Sequence, residues 1–394
     1  ACLAPAIHHA EAGIPVAPRV AFDWERHWEA LQGDAKRFYL HDGKPLSVGA
    51  LFRAPGQAEV LRRIAAEGRA GFYEGEVAED MVSSLQALGG CHTLDDFAAT
   101  ASTYVEPVSG PYRDHEIVEL PPNGHGATAL LMAKILSHFD VAGLDPLGAA
   151  RIHLEAEAAT LAYDARNRII GDPEASPLRL DHMLSDATAS RLAGLIDPKR
   201  RVADLPAQAE AVHKETVYLT VVDRDRMAVS LIYSVFKDFG SGLASSKFGI
   251  NFQNRGAGFT LTEGHPNEAA GGKRPMHTII PAMLRHAGKL VMPFGVMGGA
   301  YQPAGHVRLV SNLLDFGMDP QEAIDTPRAF RDVDGLRLEN GYSDAIAAEL
   351  TAMGHDIVRP ETPIGGAQAI RIEPATGVLI GASDPRKDGC AIGY

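Results

Sequence analysis

Thr216 is the residue of this sequence whose position most suggests chemistry. It follows Glu215 and a polar stretch, and it heads a run of β-branched and apolar residues. A threonine hydroxyl is a weak nucleophile. The α-amine of a threonine at the start of a chain has a pKa near neutrality and can take the hydroxyl's proton. This chemistry requires cleavage between Glu215 and Thr216. Taken alone, a threonine at the start of a strand is usually only a strand residue.

Short motifs flank Thr216 in a defined order. They are Phe-Tyr-Glu-Gly-Glu-Val-Ala at 72–78, Gly-Gly at 89–90, Leu-Asp-Asp at 94–96, Phe-Gly-Ser-Gly at 239–242, Lys-Arg-Pro at 273–275, Gly298 with Gly299, and Gly-Ala-Ser-Asp-Pro-Arg at 381–386. Each motif alone is weak, and the glycine pair by itself is more simply a turn. The ordered set resembles the γ-glutamyltranspeptidase family over nearly the whole chain.

The resemblance implies an α+β fold, the four-layer αββα sandwich of N-terminal nucleophile hydrolases. It also implies a proenzyme that cuts itself before Thr216, which then acts as the nucleophile. Gly298 and Gly299 match the pair whose backbone N–H groups form the oxyanion hole, where the lack of a Cβ lets the acyl oxygen approach. Ser234 matches a second hydroxyl residue that hydrogen-bonds the nucleophile. Whether Ser234 faces Thr216 depends on the strand register, which a one-residue slip reverses.

The substrate-binding positions depart from the family pattern. The family's Asn-Asn-Gln-Met-Asp-Asp-Phe stretch corresponds to Gln-Asn-Arg-Gly-Ala-Gly-Phe at 253–259, so both acidic residues are lost and Arg255 is gained. A strand asparagine is replaced by Phe236, and a pair of serines by His277 and Thr278. The substrate-binding candidates are Phe236, Asn254, Arg255, His277 and Thr278.

An arginine fork matches a carboxylate, so this pocket favours a carboxylate over an α-ammonium group. Two plainer interpretations stay open: Arg255 as an exposed or structural arginine, and His277 as a packed core histidine. The pattern resembles the branch of the family that contains oxamate amidohydrolase and glutaryl-cephalosporin-acylase-like proteins. The members of that branch act on amides of acids without an α-amino group.

The leading hypothesis is therefore a self-cleaving amidohydrolase. It would use Thr216 to hydrolyse the amide of a small carboxylate-bearing substrate, of oxamate or glutaryl type, through an acyl-enzyme. One alternative is a γ-glutamyltransferase or glutathione hydrolase that acts on γ-glutamyl amides. The other, from a different class, is an inactive scaffold that kept the fold and never splits.

Composition argues against several other classes. The 394 residues carry a formal net charge of −13, so we expect neither nucleic acid nor an anionic membrane as a partner. Three cysteines without CxxC spacing argue against a disulfide framework and a zinc site. Neither a Walker loop nor metal-ligand spacing is present, and we expect no cofactor and no metal. The first residues lack a basic segment followed by an apolar core, which favours a cytoplasmic location. A periplasmic location stays open, because the natural N-terminus is expected to lie outside this sequence.

The predicted secondary structure around Thr216 changes at that residue, from mainly helices before it to strands after it. The first half is predicted to be helix-rich, with helices at 58–67, 75–88, 127–138 and 149–166, and it ends in a polar linker at 197–215. The second half opens with two predicted strands, 216–222 and 227–236, joined by a polar turn into a hairpin. Further strands are predicted at 290–293, 369–372 and 378–380, and helices at 305–314, 320–325 and 345–353.

The expected organisation follows the predicted cleavage. Residues 1–215 form a large-subunit segment and residues 216–394 a small subunit. The two fragments make a heterodimer, and a dimer of such heterodimers is left open. The opening residues resemble the middle of the family's large subunit, so the N-terminal part of that subunit is expected to be absent from this sequence.

Overall fold

The computed structural model describes residues 1–202 and 216–394 and separates them into two compact units. One unit comprises Ala1–Tyr104 and Val235–Asn254, and the other comprises Val105–Ser234 and Arg255–Tyr394. The predicted subunit boundary at Thr216 is a cleavage position and is not a boundary between these compact units. It stays a prediction. Within the described residues, no helix combines the length and apolar character needed to cross a membrane.

The first unit is mainly helical. Its helices are α1 (Ala4–Ala12), α2 (Pro18–His27), α3 (Asp34–Tyr39), α4 (Pro55–Glu67), α5 (Ala70–Tyr73), α6 (Gly75–Ala87) and α7 (Leu94–Ala98). Two short strands, β1 (Ile14–Pro15) and β2 (Leu51–Phe52), pair antiparallel. The predicted helices at 58–67 and 75–88 are confirmed as α4 and α6. Thr93 caps α7 through a capping box with Asp96, which satisfies free N–H groups at the helix start.

The later segment of this unit is fixed to α6 by a buried carboxylate. Asp80 accepts hydrogen bonds from the backbone N–H of Lys247 at 2.9 Å and of Phe248 at 3.1 Å, and from the Ser246 hydroxyl at 3.1 Å. These bonds offset the cost of burying the carboxylate. Phe248 then packs into an apolar cluster with residues of α4 and α6 such as Val60.

The second unit contains most of the β-structure. Its strands are β3 (Val108–Tyr112), β4 (His115–Glu119), β5 (Val217–Val222), β6 (Ala228–Tyr233), β7 (Ala282–His286), β8 (Lys289–Met297), β9 (Ala329–Asp332), β10 (Gly335–Leu338), β11 (Ile357–Val358), β12 (Gly366–Ile372) and β13 (Leu379–Ser383). Its helices are α8 (Gly126–Leu136), α9 (Ala149–Ile169), α10 (Leu180–Met183), α11 (Asp186–Ala193), α12 (Gln302–Leu314), α13 (Pro320–Asp325) and α14 (Asp344–Ala352). The predicted helices in this unit are confirmed as α8, α9, α12, α13 and α14.

A six-stranded sheet with the order β13-β12-β8-β7-β4-β3 forms the centre of this unit, and all its pairings are antiparallel. Alternate residues of β8 face opposite sides. Phe294 and Val296 join the main apolar core with residues of α8, α9 and α12. On the other side, Gly295 and Met297 lie against the ring of Tyr218 in β5. Because both faces are covered, β8 is buried from Met292 onward.

The predicted hairpin is confirmed, with slightly shorter strands, as β5 and β6. Its register pairs Val217 with Tyr233 and Tyr218 with Ile232. Tyr218 and Ile232 are buried against Met297. The opposite face is apolar and exposed, and it carries Val217, Leu219, Val221, Val229, Leu231 and Tyr233. The turn lacks glycine, and Arg226 takes the left-handed conformation there with φ of 68°.

The sequence analysis did not predict the strands β1, β2, β3, β4, β9, β10 and β11. β3 contains Gly110 and Pro111, which disfavour a strand by propensity, yet it pairs with β4 along its whole length. β3 is an edge strand, where proline is tolerated. The predicted strand at 290–293 is longer in the structure, and the preceding β7 was also missed. Tertiary pairing in the sheet, rather than local composition, determines these strands.

Candidate active site

Thr216 and Ser234 lie at the same end of the hairpin. Extending the register by one pair beyond Val217 and Tyr233 places Thr216 opposite Ser234. Since side chains alternate along a strand, both belong to the face that carries the buried pair Tyr218 and Ile232. Both residues are half-buried. The register that the sequence left open therefore has Thr216 and Ser234 on one face.

Tyr218 anchors this end of the hairpin on the sheet. Its hydroxyl lies 2.8 Å from Ser230 Oγ, and Ser230 Oγ donates to the carbonyl of Phe294 at 3.2 Å. A Cβ at Gly295 would stand 2.3 Å from the Tyr218 ring, closer than any real contact. Glycine is therefore required beneath the ring. This close approach determines the distance between the sheet and the start of β5, which Thr216 precedes.

Gly298 and Gly299 follow directly after β8. Their φ angles are 129° and 59°, conformations that favour glycine, and a Cβ at Gly298 would stand 2.9 Å from Gly365 Cα. A short 3-10 turn, Gly299–Tyr301, leads into α12. Backbone N–H groups at the start of a helix have no intrahelical acceptor and favour negative charge. Met297, one residue earlier, packs on Tyr218, so the glycine pair lies beside the hairpin end.

Arg255 and His277 lie on the same side of the hairpin end. Arg255 begins a 3-10 turn, Arg255–Gly258, and its Nη2 donates to the carbonyl of Ser234 at 3.5 Å, a long and weak bond. Burial lowers the pKa of His277 to about 4, and the positive charge of Arg255 adds to this effect. His277 is thus neutral at physiological pH, and Arg255 supplies the positive charge at this point.

The segment around His277 and Thr278 is held by hydrogen bonds on two sides. The backbone N–H of His277 donates to Asn123 at 3.1 Å, and His125 Nε2 donates to the carbonyl of Thr278 at 2.9 Å. On the other side, the N–H of Ile280 donates to Gln302 Oε1 at 3.0 Å. Gln302 is the first residue of α12, so this bond ties the segment to the helix that follows the glycine pair.

Phe236 and Asn254 belong to the other unit. Asn254 Oδ1 accepts from the backbone N–H of Lys237 at 3.0 Å, a local bond that shapes the chain at this point. Phe236 is buried and has φ of 82°, an unusual conformation for a large side chain. Their predicted substrate contacts stay predictions. Glu215, the other half of the predicted cleavage site, lies outside the described residues.

Sequence reasoning missed Tyr218, Asn123 and Gln302 as supports of this region. No local pattern distinguishes them, because each acts through a partner far away in the sequence. The unusually small Gly295 within a buried strand was the one available signal, since glycine inside a strand often marks a close approach.

Comparisons with known proteins agree across the whole chain. A family model described as Gamma-glutamyltranspeptidase matches residues 1–394. A glutathione hydrolase-like YwrD proenzyme of Bacillus subtilis is 34% identical over 402 residues, which cover 99% of this chain and 76% of that protein. An oxamate amidohydrolase proenzyme of Klebsiella pneumoniae is 33% identical over 403 residues. The alignment covers 100% of this chain and 75% of that protein.

Among solved structures, a cephalosporin acylase from Bacillus halodurans matches with a TM-score of 0.90 and 34% identity, covering 99% of this chain and 74% of that one. The match confirms the predicted fold class, that of the N-terminal nucleophile hydrolases. The chain spans about three quarters of the length of these relatives.

Proposed function

The chain belongs to the γ-glutamyltranspeptidase family, and we propose that it is a self-cleaving amidohydrolase with Thr216 as its nucleophile. The substrate is the amide of a small carboxylate-bearing acid, of oxamate or glutaryl type. The observation that carries the proposal is the register of the hairpin: its last pair is Val217 with Tyr233, so Thr216 and Ser234 are the next residues at the same end, and Arg255 donates to the carbonyl of Ser234. The named relatives are hydrolases whose names call them proenzymes, which also supports an enzyme made by processing.

Maturation begins with attack of the Thr216 hydroxyl oxygen on the carbonyl carbon of Glu215. The peptide C–N bond breaks, the acyl group moves from nitrogen to oxygen, and the α-amine of Thr216 takes up the hydroxyl's proton. Water then hydrolyses the ester. One fragment ends at the carboxylate of Glu215, and the other begins at Thr216 with a free α-amine.

In each turnover the α-amine accepts the proton of the Thr216 hydroxyl as the oxygen attacks the substrate's amide carbon. The N–H groups at Gly298 and Gly299 stabilise the negative oxygen of the tetrahedral intermediate. The intermediate then collapses: the substrate's amine takes the proton from the Thr216 α-amine and leaves. The acyl group remains bound to Thr216 as an ester. Water hydrolyses the ester and regenerates the hydroxyl, while the Ser234 hydroxyl orients the nucleophile.

Arg255 determines the substrate class in this proposal. Its guanidinium binds the substrate carboxylate, and neutral His277 contributes a hydrogen bond without a second charge. Ala257 and Gly258 provide no anion for an α-ammonium group, which would be desolvated without compensation.

A hydrolysis panel tests this substrate class. The purified protein is incubated with oxamate, glutaryl anilide, γ-glutamyl anilide and acetanilide, and the release of ammonia or aniline is measured. We expect oxamate or glutaryl anilide to give the highest kcat/KM. A preference for γ-glutamyl anilide would instead support a γ-glutamyltransferase or glutathione hydrolase. No turnover of any amide by a fully processed protein would contradict both.

A further inference from the structure

Two hairpin turns lie side by side at one end of the central sheet. The first joins β3 to β4 through Arg113 and Asp114, and the second joins β7 to β8 through Ala287 and Gly288. Both turns use residues with positive φ, which suits two-residue hairpins. Because β4 and β7 are neighbours, the turns bring two histidines into direct cross-strand register.

These histidines, His115 and His286, are cross-strand partners next to Asp114. Their ring centroids are 4.5 Å apart at an interplanar angle of 76°. His115 Nδ1 lies 2.7 Å from Asp114 Oδ1, and His286 Nδ1 lies 3.8 Å from Asp114 Oδ2. One ligand atom from each of the three residues lies within 4.8 Å of the others.

We propose that Asp114, His115 and His286 form a surface site for a divalent transition-metal ion of the Zn²⁺ class. Imidazole nitrogen and carboxylate oxygen are ordinary ligands of such ions, at about 2.0–2.2 Å. Two ligands at that distance in a tetrahedral arrangement are about 3.4 Å apart. The two histidine nitrogens lie 2.7 and 3.8 Å from the two oxygens of the Asp114 carboxylate, close to this value, so the side chains converge on one point. The fourth position faces solvent and takes water.

The local charges favour a cation. Asp114 contributes an exposed carboxylate within hydrogen-bond distance of His115 Nδ1. The nearby Arg285 is paired with Glu116 at 3.6 Å. Lys289, opposite His286 across the turn, is exposed. The side chain of His286 is about half exposed, which leaves an entry path for the ion.

A buried trio of the same residue types makes a useful contrast. His153, Glu157 and His355 also have ligand atoms within 4.8 Å of one another. Here the two histidines hydrogen-bond each other at 2.8 Å, and His153 Nε2 donates to the carbonyl of Asp197. Glu157 accepts from the backbone N–H of Val202. Burial lowers the pKa of His355, and the charges of Arg331 and Arg201, which lower it further, also oppose a metal ion. This trio is a hydrogen-bonded core network.

The proposed metal site is independent of the proposed active site. It lies at the β7–β8 turn, whereas Gly298 follows the other end of β8. The eight residue steps from Lys289 to Met297 span roughly 27 Å at about 3.4 Å each. If no metal ion binds at this turn, the amidohydrolase proposal is therefore unaffected.

Zn²⁺ titration by calorimetry at neutral pH tests the site. Wild type is compared with His115→Asn, His286→Asn and the double variant, each with folding checked by circular dichroism. The matched control is His41→Asn, which removes a single exposed histidine beside an aspartate. We expect one Zn²⁺ site that the double variant loses. Each single variant should weaken binding by at least about 10-fold, the low end of the loss for an outer-sphere partner.

Cu²⁺ electron paramagnetic resonance provides a second readout, because only direct ligation gives nitrogen hyperfine coupling from two imidazoles. We expect two coupled nitrogens in wild type and in His41→Asn, and one in each single variant. The proposal is overturned by the same Zn²⁺ isotherm in wild type and double variant, or by no saturable binding in wild type.

Discussion

At the scale of single residues, the proposed substrate class depends on which charges surround the candidate carboxylate pocket. The loss of two acidic residues at 257 and 258 is visible in the sequence, but the state of His277 is not. Burial and Arg255 together keep this histidine neutral. The candidate carboxylate pocket therefore has one cation rather than two, and substrate selectivity should depend on Arg255 alone.

Replacing Arg255 with alanine should lower kcat/KM for oxamate or glutaryl anilide by about 10²-fold, because a charged contact to a desolvated carboxylate is lost. The rate with a neutral amide such as acetanilide should change much less. Steady-state kinetics on both substrates measure the difference. Arg285→Ala, in β7 opposite Leu290 near the start of β8, is the control and should match wild type. An equal loss on both substrates would show that Arg255 is structural.

Replacing Gly299 with alanine should lower turnover by about 10²–10³-fold, because a shifted N–H group no longer supports the developing oxyanion. The φ of 59° at Gly299 also imposes a backbone penalty of about 1–2 kcal/mol on alanine. Gly317→Ala carries the same penalty, with φ of 65° and open space around its Cβ. That control should lose similar stability and keep full turnover. Equal turnover in both variants would place the oxyanion hole elsewhere.

At the scale of elements, the β5–β6 hairpin and β8 together determine the relative position of Thr216 and the glycine pair. Tyr218 lies over Gly295, and the same strand then leads to Gly298. The spacing between Thr216 and the glycine pair thus depends on the packing of β5 against β8. A change beneath Tyr218 should move Thr216 although it touches neither Thr216 nor the substrate.

Gly295→Ala should therefore destabilise the protein by about 1–3 kcal/mol, the usual cost of overpacking a buried site. It should also slow self-cleavage, since the Tyr218 ring must move away from a Cβ only 2.3 Å distant. Denaturant unfolding and the time course of fragment appearance measure the two effects. Gly271→Ala, with open space and no positive φ, is the control. Normal cleavage by Gly295→Ala would disprove the positioning role.

The hairpin shows how far sequence reasoning could reach at this scale. Two runs rich in strand-forming residues, joined by a polar turn, predicted it correctly, because local composition and tertiary structure agree there. The facing of Thr216 and Ser234 could not be predicted, because register is a property of two strands together. The same limit hid the His115–His286 pair, whose members are 171 positions apart but adjacent across β4 and β7. β3 was hidden by Gly110 and Pro111, which only its edge position makes acceptable.

At the scale of the whole molecule, buried histidines link stability to pH. Burial lowers the pKa of His277 to about 4, of His355 to about 3, and of His125 well below its ordinary value. In the unfolded chain these groups titrate near 6.5. Between the two values the unfolded state binds more protons than the folded one, so stability is complete above pH 6.5 and is lost as the pH falls.

Thermal unfolding measured at a series of pH values should therefore show a falling midpoint from about pH 6.5 down to about pH 4. His277→Asn should flatten this dependence by at most about 1.4 kcal/mol per pH unit, the limit for one proton. His41→Asn, at an exposed position, should leave the slope unchanged. If the slope in His277→Asn is unchanged, burial does not lower the pKa of His277 in the folded protein.

Self-cleavage is the central claim, and intact-protein mass spectrometry with N-terminal sequencing tests it most directly. Wild type should give two fragments, with the smaller one beginning at Thr216. Thr216→Ser, which keeps a hydroxyl, should still split. Thr216→Ala should remain a single inactive chain, while Thr220→Ala, changed on the same face of β5, should split normally. A wild-type chain that never splits, or a fragment that begins at any other residue, would contradict the assignment of Thr216 as the nucleophile.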